Sequence, residues 1–347
     1  MAYSSIIKPS LHMNTKLYTG NGGTNAQTGV GFKPDLVWIK NRTASGEGHH
    51  WYDIVRGVTK RIRSDTSAAQ TTVSTGLTAF GTDGFTVGST AGVNGNGNGI
   101  ASWNWKAGTS FTNDASSTGI GSIDSSGSFN NDAGFSIVSY TGNSPTATTI
   151  KHGLNSIPQM IIFKRLVGVG NMTVYHQSLG NTKGIFLTTT AASDTSAGYF
   201  NNTTPTSSVF SVANSGDTNS NGNAMIAYCF TEKQGYSKIG SYTGTGTNVY
   251  INTGFKVGWL LVKVSDGTNG WLVIDATRSP ANPQGKYIYA NTDGTEGTVT
   301  YGEFFSNGFG WKGTNSIAVN QSGKNYIYYA IAENPFVASN YNVATAR

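Results

Sequence analysis

The stretch Phe32-Lys33-Pro34-Asp35-Leu36-Val37-Trp38-Ile39-Lys40 reads as a strand that is apolar on both faces. Trp51-Tyr52-Asp53-Ile54-Val55-Arg56 follows it after a polar loop. A strand without inside/outside alternation has to be covered on both sides. The passage returns as Ile157-Pro158-Gln159-Met160-Ile161-Ile162-Phe163-Lys164 and as Val257-Gly258-Trp259-Leu260-Leu261-Val262-Lys263. Tyr-Thr-Gly precedes each copy, at Tyr18, Tyr140 and Tyr242. A Phe after a turn follows each copy, at Phe85, Phe210 and Phe309, and the closing strands carry Trp105, Phe230 and Ile331. Landmarks held in one register mean a repeat. The expectation is an all-β chain of three tandem β-sandwich or jelly-roll-like units of about 100 residues, with very little helix.

Turn signals separate short runs of β-branched and aromatic residues throughout. In the third unit they predict eight strands: Lys238–Tyr242, Val249–Thr253, Trp259–Val264, Trp271–Asp275, Tyr287–Ala290, Phe304–Phe305, Gly308–Lys312 and Tyr326–Ala332. The boundaries read as an N-terminal arm over 1–14, a first repeat over 15–108 and a Ser/Gly/Asn-rich linker over 109–133. A second repeat over 134–233, a third over 234–334 and a C-terminal tail over 335–347 follow.

Charged residues make up only 12% of the chain, against a usual share of about 25%. Polarity therefore comes from Gly, Ser, Thr and Asn, while 12% aromatics leave enough apolar mass for cores. The net charge of +6 is spread out except at Arg56, Lys60, Arg61 and Arg63, a basic patch too small to predict nucleic-acid binding. The single cysteine, Cys229, excludes a disulfide framework and reads as a small buried hydrophobe. No signal peptide and no membrane-spanning run is recognisable.

Asp53…Arg56 recurs as Asp275…Arg278, while the second unit has His176 and Leu179 at these positions. A pair kept in two copies and lost in one predicts structural ion pairs rather than a catalytic dyad. Asp217 to Gly222 matches half of a calcium loop, but Tyr228 stands where the bidentate Glu is needed, so no metal and no cofactor is expected. Carboxylates are scarce, and no nucleophile, zinc or phosphate-loop motif is present, so the chain does not read as an enzyme. Recognition is left to exposed rings and imidazoles: His49, His50, Trp51, Tyr52, Trp271 and Trp311 are the candidate binding residues.

The ordered series Tyr-Thr-Gly-Asn from Tyr18, Gly31-Phe32-Lys33-Pro34-Asp35 with its strand, Trp51 to Gly57, and Asp83-Gly84-Phe85-Thr86-Val87-Gly88 resembles a repeat family of tailed-bacteriophage virion proteins. The segments from Val174 to Gly180 and from Tyr326 to Glu333 resemble that family's middle and last repeats. The resemblance covers about residues 15–336 and implies a non-enzymatic structural protein located in the virion. It would be a tail-fibre or tail-associated adhesin contacting a host-surface glycan. The alternative is an architectural subunit of the capsid surface or tail collar with no host ligand. Partners would be other virion proteins held through the termini, and copies of itself, a trimer by analogy. Neither nucleic acid nor membrane insertion is implied.

Overall fold

The computed structural model describes residues 4–144 and 147–336. The first unit holds β1 (Met13–Thr19), β2 (Asn25–Gln27), β3 (Leu36–Asn41), β4 (His49–Asp53), β5 (Lys60–Arg61), β6 (Thr71–Thr72), β7 (Leu77–Gly81), β8 (Gly84–Val87) and β9 (Gly99–Trp105). The second holds β10 (Thr109–Asn113), β11 (Ser125–Asn130), β12 (Phe135–Thr141), β13 (Thr148–Lys151), β14 (Met160–Arg165), β15 (Met172–His176), β16 (Lys183–Phe186), β17 (Asp194–Thr195), β18 (Val209–Val212) and β19 (Ala224–Phe230). The third holds β20 (Ser237–Thr243), β21 (Val249–Asn252), β22 (Phe255–Val264), β23 (Leu272–Asp275), β24 (Gln284–Tyr289), β25 (Gly297–Phe305), β26 (Gly308–Trp311) and β27 (Asn325–Pro335). All eight strands expected in the third unit are present, and the α-helices are turns of 4 residues each.

One sheet order appears in every unit. It is β1-β9-β3-β4 in the first, β12-β19-β14-β15 in the second and β20-β27-β22-β23 in the third, all antiparallel. The twice-apolar strands β3, β14 and β22 sit inside these sheets and face Trp103, Tyr228 and Tyr329 from Trp38, Ile162 and Leu261.

Two different covers satisfy their two faces. One face of each sheet packs under its own second layer. In the first unit β2, β7 and β8 enclose Val37, Ile39, Phe85 and Val87; in the second, β13 and β18 cover Ile161 and Phe163. In the third, the sheet runs on through β24, β25, β26 and β21 and curls until β25 and β26 lie over β22. The opposite faces of all three sheets meet in one central core, where Trp38 contacts Trp259, Trp51 contacts Tyr228, and Phe230 contacts Tyr329. Burying such rings is the main favourable term, at roughly 25 cal/mol per Å² of apolar surface.

The Tyr-Thr-Gly tripeptide has one physical job in all three places. Tyr18, Tyr140 and Tyr242 donate their hydroxyls to the carbonyls of Val93, Thr218 and Val319, at 2.7, 2.5 and 2.6 Å. The next residue in each case is a fully buried asparagine, Asn94, Asn219 or Asn320, whose Oδ1 accepts the backbone N–H of Asn21, Asn143 or Thr245. The glycine is required by contact: a Cβ on Gly142 would lie 2.3 Å from the Ser220 carbonyl oxygen. Tyr140→Phe, which leaves that buried carbonyl short of a donor, is expected to lower stability by about 1–2 kcal/mol in a urea titration. An unchanged midpoint would remove this role.

Two boundaries need correction. Residues 109–133 are not a linker: β10 and β11 extend the second sheet beyond β12 as a meander. Small hydroxylated residues suit an edge hairpin, whose outer face needs no apolar cover. Residues 4–14 are not a free arm either. Ser4 packs against Gly235, Ile6 enters the central core, a 3-10 turn over Pro9–Leu11 lies against β27, and β1 begins at Met13. Of the tail over 335–347, Pro335 closes β27, and 337–347 lie outside the described residues.

Candidate functional site

None of the six residues expected to contact a ligand reaches the surface. His49, His50, Trp51, Tyr52, Trp271 and Trp311 are all buried, the most exposed at 2%. The alternation along β4 does give two faces, but the neighbouring units cover the one that would otherwise meet solvent. Trp51 and Trp271 belong to the central core, and Tyr52 and Trp311 to local cores. The expected basic patch also dissolves. Arg56 is an interior residue, Arg63 pairs with Asp65, and Lys60 and Arg61 donate to Thr72 and Thr71 across the β5–β6 hairpin.

What the structure does bring together is a set of polar seams between units. Lys40, Lys164 and Lys263 are fully buried at equivalent positions. Each ammonium reaches into the next unit: Lys40 to the Asp293 carbonyl at 3.2 Å, Lys164 to Ser67 at 3.1 Å and Lys263 to Thr190 at 3.2 Å. The first unit thus bonds to the third, the third to the second, and the second to the first. Each lysine also donates to carbonyls of its own unit: Glu47; Gly170; Val264 and Gly267. Loss of hydration in the seam lowers each ammonium to about 8.

His49 and Trp271 occupy the same position opposite these lysines. His49 Nε2 donates to the Tyr289 carbonyl at 3.0 Å and Trp271 Nε1 to the Phe186 carbonyl at 2.8 Å, again one unit to the next. The other end of two of the seams carries the expected ion pairs, and that of the third carries His176. Asp53 holds Arg56 and Asp275 holds Arg278, both at 2.5 Å, with the carboxylates fully buried. Asp53 also accepts from Tyr228 Oη at 2.7 Å and Asp275 from Trp103 Nε1 at 3.0 Å, each a residue of another unit. His176 faces Met160 as Asp53 faces Leu36 and Asp275 faces Trp259. Its Nδ1 accepts the Ser178 N–H, as Asp53 and Asp275 accept backbone N–H groups, and its Nε2 donates to the Tyr328 carbonyl.

Three histidines share one wiring. His49 Nδ1 accepts from Trp38 Nε1 at 2.8 Å, His152 Nδ1 from the Leu154 N–H and His176 Nδ1 from the Ser178 N–H, while each Nε2 donates to a carbonyl. The neutral ring is the one that fits. Burial lowers His49 to about 3, helped by the Lys40 charge, and lowers His152 and His176 to about 4. Asp217, in the half-matched calcium loop, accepts from the Asn171 backbone and side chain, and no group of three metal-ligating side chains occurs among the described residues.

The buried asparagines and the lysine-to-carbonyl bonds are what sequence reasoning missed. Their signal was present, since Asn94, Asn219 and Asn320 keep the register of the other landmarks, but Asn in a Gly-rich turn passes for a loop residue. The arrangement can align three sheets rigidly.

No curated protein matches the chain. A family model described as a domain of unknown function (DUF7483) matches residues 8–335, nearly the whole length, and the chain belongs to that family.

Proposed function

We propose that this chain is a non-enzymatic structural protein of a tailed-bacteriophage virion, serving as an architectural subunit of the capsid surface or tail. The reading joins the repeat resemblance to one observation: the rings, imidazoles and ion pairs that would equip a recognition surface are used inside, to lock three sheets around one core. Adhesion to a host glycan is the second reading, favoured by Tyr250. This ring is 48% exposed, stacks edge-to-face on Phe305 and donates to Asn307.

Immunogold electron microscopy of purified phage particles, with antibody raised against the protein, tests the proposal. Regular labelling of capsid or tail is expected, with no binding of purified protein to host cells. Unlabelled particles would sink the virion reading. Cell binding that disappears in Tyr250→Ala would replace architecture by adhesion.

A further inference from the structure

The strands β1, β12 and β20 hold the same place in the three sheets, and the chain treats their outer side in three ways. In the second unit β11 pairs along the whole of β12, from Ser125 opposite Tyr140 to Asn130 opposite Phe135. In the third unit the first half of the β20 edge is closed: Ser237 N–H donates to the Lys233 carbonyl, Glu232 Oε1 accepts the Ile239 N–H at 2.8 Å, and Gln177 Nε2 donates to the Ile239 carbonyl at 2.5 Å. In the first unit a side chain meets the edge only at its end, where Asn25 Nδ2 donates to the Thr19 carbonyl at 3.3 Å. Among the described residues, no backbone–backbone hydrogen bond joins Met13–Thr19 to anything except β9. The residues ahead of β1 turn away, with Ile6 in the central core and the 3-10 turn over Pro9–Leu11 against β27.

A cleft of about 210 Å³ lies beside the start of this edge, between Met13–Thr15 and Gly258, Ala276 and Thr277 of the third unit. Its counterpart in the second unit lies between Asp35, Ile54 and Val55 and the β11 residues Ser126 to Ser128. Met13 pairs with Trp105 as Phe135 pairs with Phe230. Transferred by that register, Ser128 to Asn130 would run beside Met13 to Thr15, in the cleft. Gly258 stands where the first unit has Asp35 and the second has Gln159; a Cβ there would lie 2.9 Å from the Glu333 N, so β27 comes close at that point and Glu333 also lines the cleft.

We propose that β1 is a docking edge for an extended strand of another polypeptide, uncharged and rich in Ser and Gly like β11, which adds antiparallel to the first sheet. Unpaired edges recruit strands through main-chain hydrogen bonds, and alternate side chains select the sequence. The second unit supplies the template for what binds, because it has built the same complex within the chain. This inference does not depend on a virion location.

The probe is the synthetic peptide Ser-Ser-Gly-Ser-Phe-Asn-Asn with blocked ends, the sequence of residues 125–131, added at millimolar concentration to the intact protein. Amide hydrogen exchange is followed residue by residue. Outward-facing amides of Met13–Thr19 are expected to slow about tenfold. The amides of Ser237 and Ile239 in β20 should not change, and a peptide carrying Gly127→Pro, which blocks strand pairing, should protect nothing. Absence of protection at β1, equal protection by the proline peptide, or protection confined to the outer edge of β10 would each overturn the assignment.

Discussion

Acidification from pH 7 to pH 5 is expected to remove about 6 kcal/mol of stability through His49, His152 and His176, enough to bring an ordinary domain to the edge of unfolding. Buried His50 acts in the same direction. The folded values of His49, His152 and His176 lie at about 3, 4 and 4, below the 6.5 of a free histidine. Between those limits the unfolded chain binds protons that the folded chain refuses. The histidine contribution is therefore complete above about pH 7 and falls as pH drops toward the folded values, by about 2 kcal/mol per histidine at pH 5. The geometry agrees with the sign, because protonating Nδ1 would set two N–H groups face to face at Trp38, Leu154 and Ser178. Thermal melts followed by circular dichroism at pH 7, 6, 5 and 4 provide the check. His176→Asn, which keeps an acceptor toward Ser178, should flatten the curve by the equivalent of one proton. A melting temperature constant between pH 7 and 5 would refute the assignment.

Asp275→Ala is the single substitution expected to do most damage. The carboxylate, without solvent exposure, accepts from Arg278 Nε, the Arg278 N–H and Trp103 Nε1. Removing it leaves the Arg278 Nε and the Trp103 indole N–H buried without their acceptor, while Nη1 and Nη2 keep Glu296 and the Val273 carbonyl, at a cost of about 3 kcal/mol. The second unit shows how the corner is built without a pair, through His176 and Leu179. Asp275→His combined with Arg278→Leu should therefore cost less than half as much as Asp275→Ala alone. Glu296 would keep Arg42 as its partner. Urea titrations of both variants decide the matter. An Asp275→Ala midpoint close to that of the parent, or a double variant no better than the single one, contradicts the account.

Strand content was legible because it depends on local pattern. Turn residues and β-branched runs in the third unit located all eight strands, and the Asp53–Arg56 and Asp275–Arg278 pairs followed from their spacing. The fate of the aromatic residues was not legible. Period-two alternation in β4 divides Trp51 from Tyr52, but it does not reveal that a sheet from a distant part of the chain covers the second face. Ser125-Ser126-Gly127-Ser128 misled for the opposite reason, since small polar residues mark linkers and edge strands alike.

The seams running from the first unit to the third, the third to the second and the second to the first have a thermodynamic consequence. Repeats stacked in a line fray from their ends, because a terminal repeat gives up a single interface when it opens. A closed ring of three has no terminal member. Opening any unit breaks two seams and uncovers one side of the shared tryptophan-rich core, so partial unfolding costs nearly as much as complete unfolding. Three similar segments thus behave as one cooperative block.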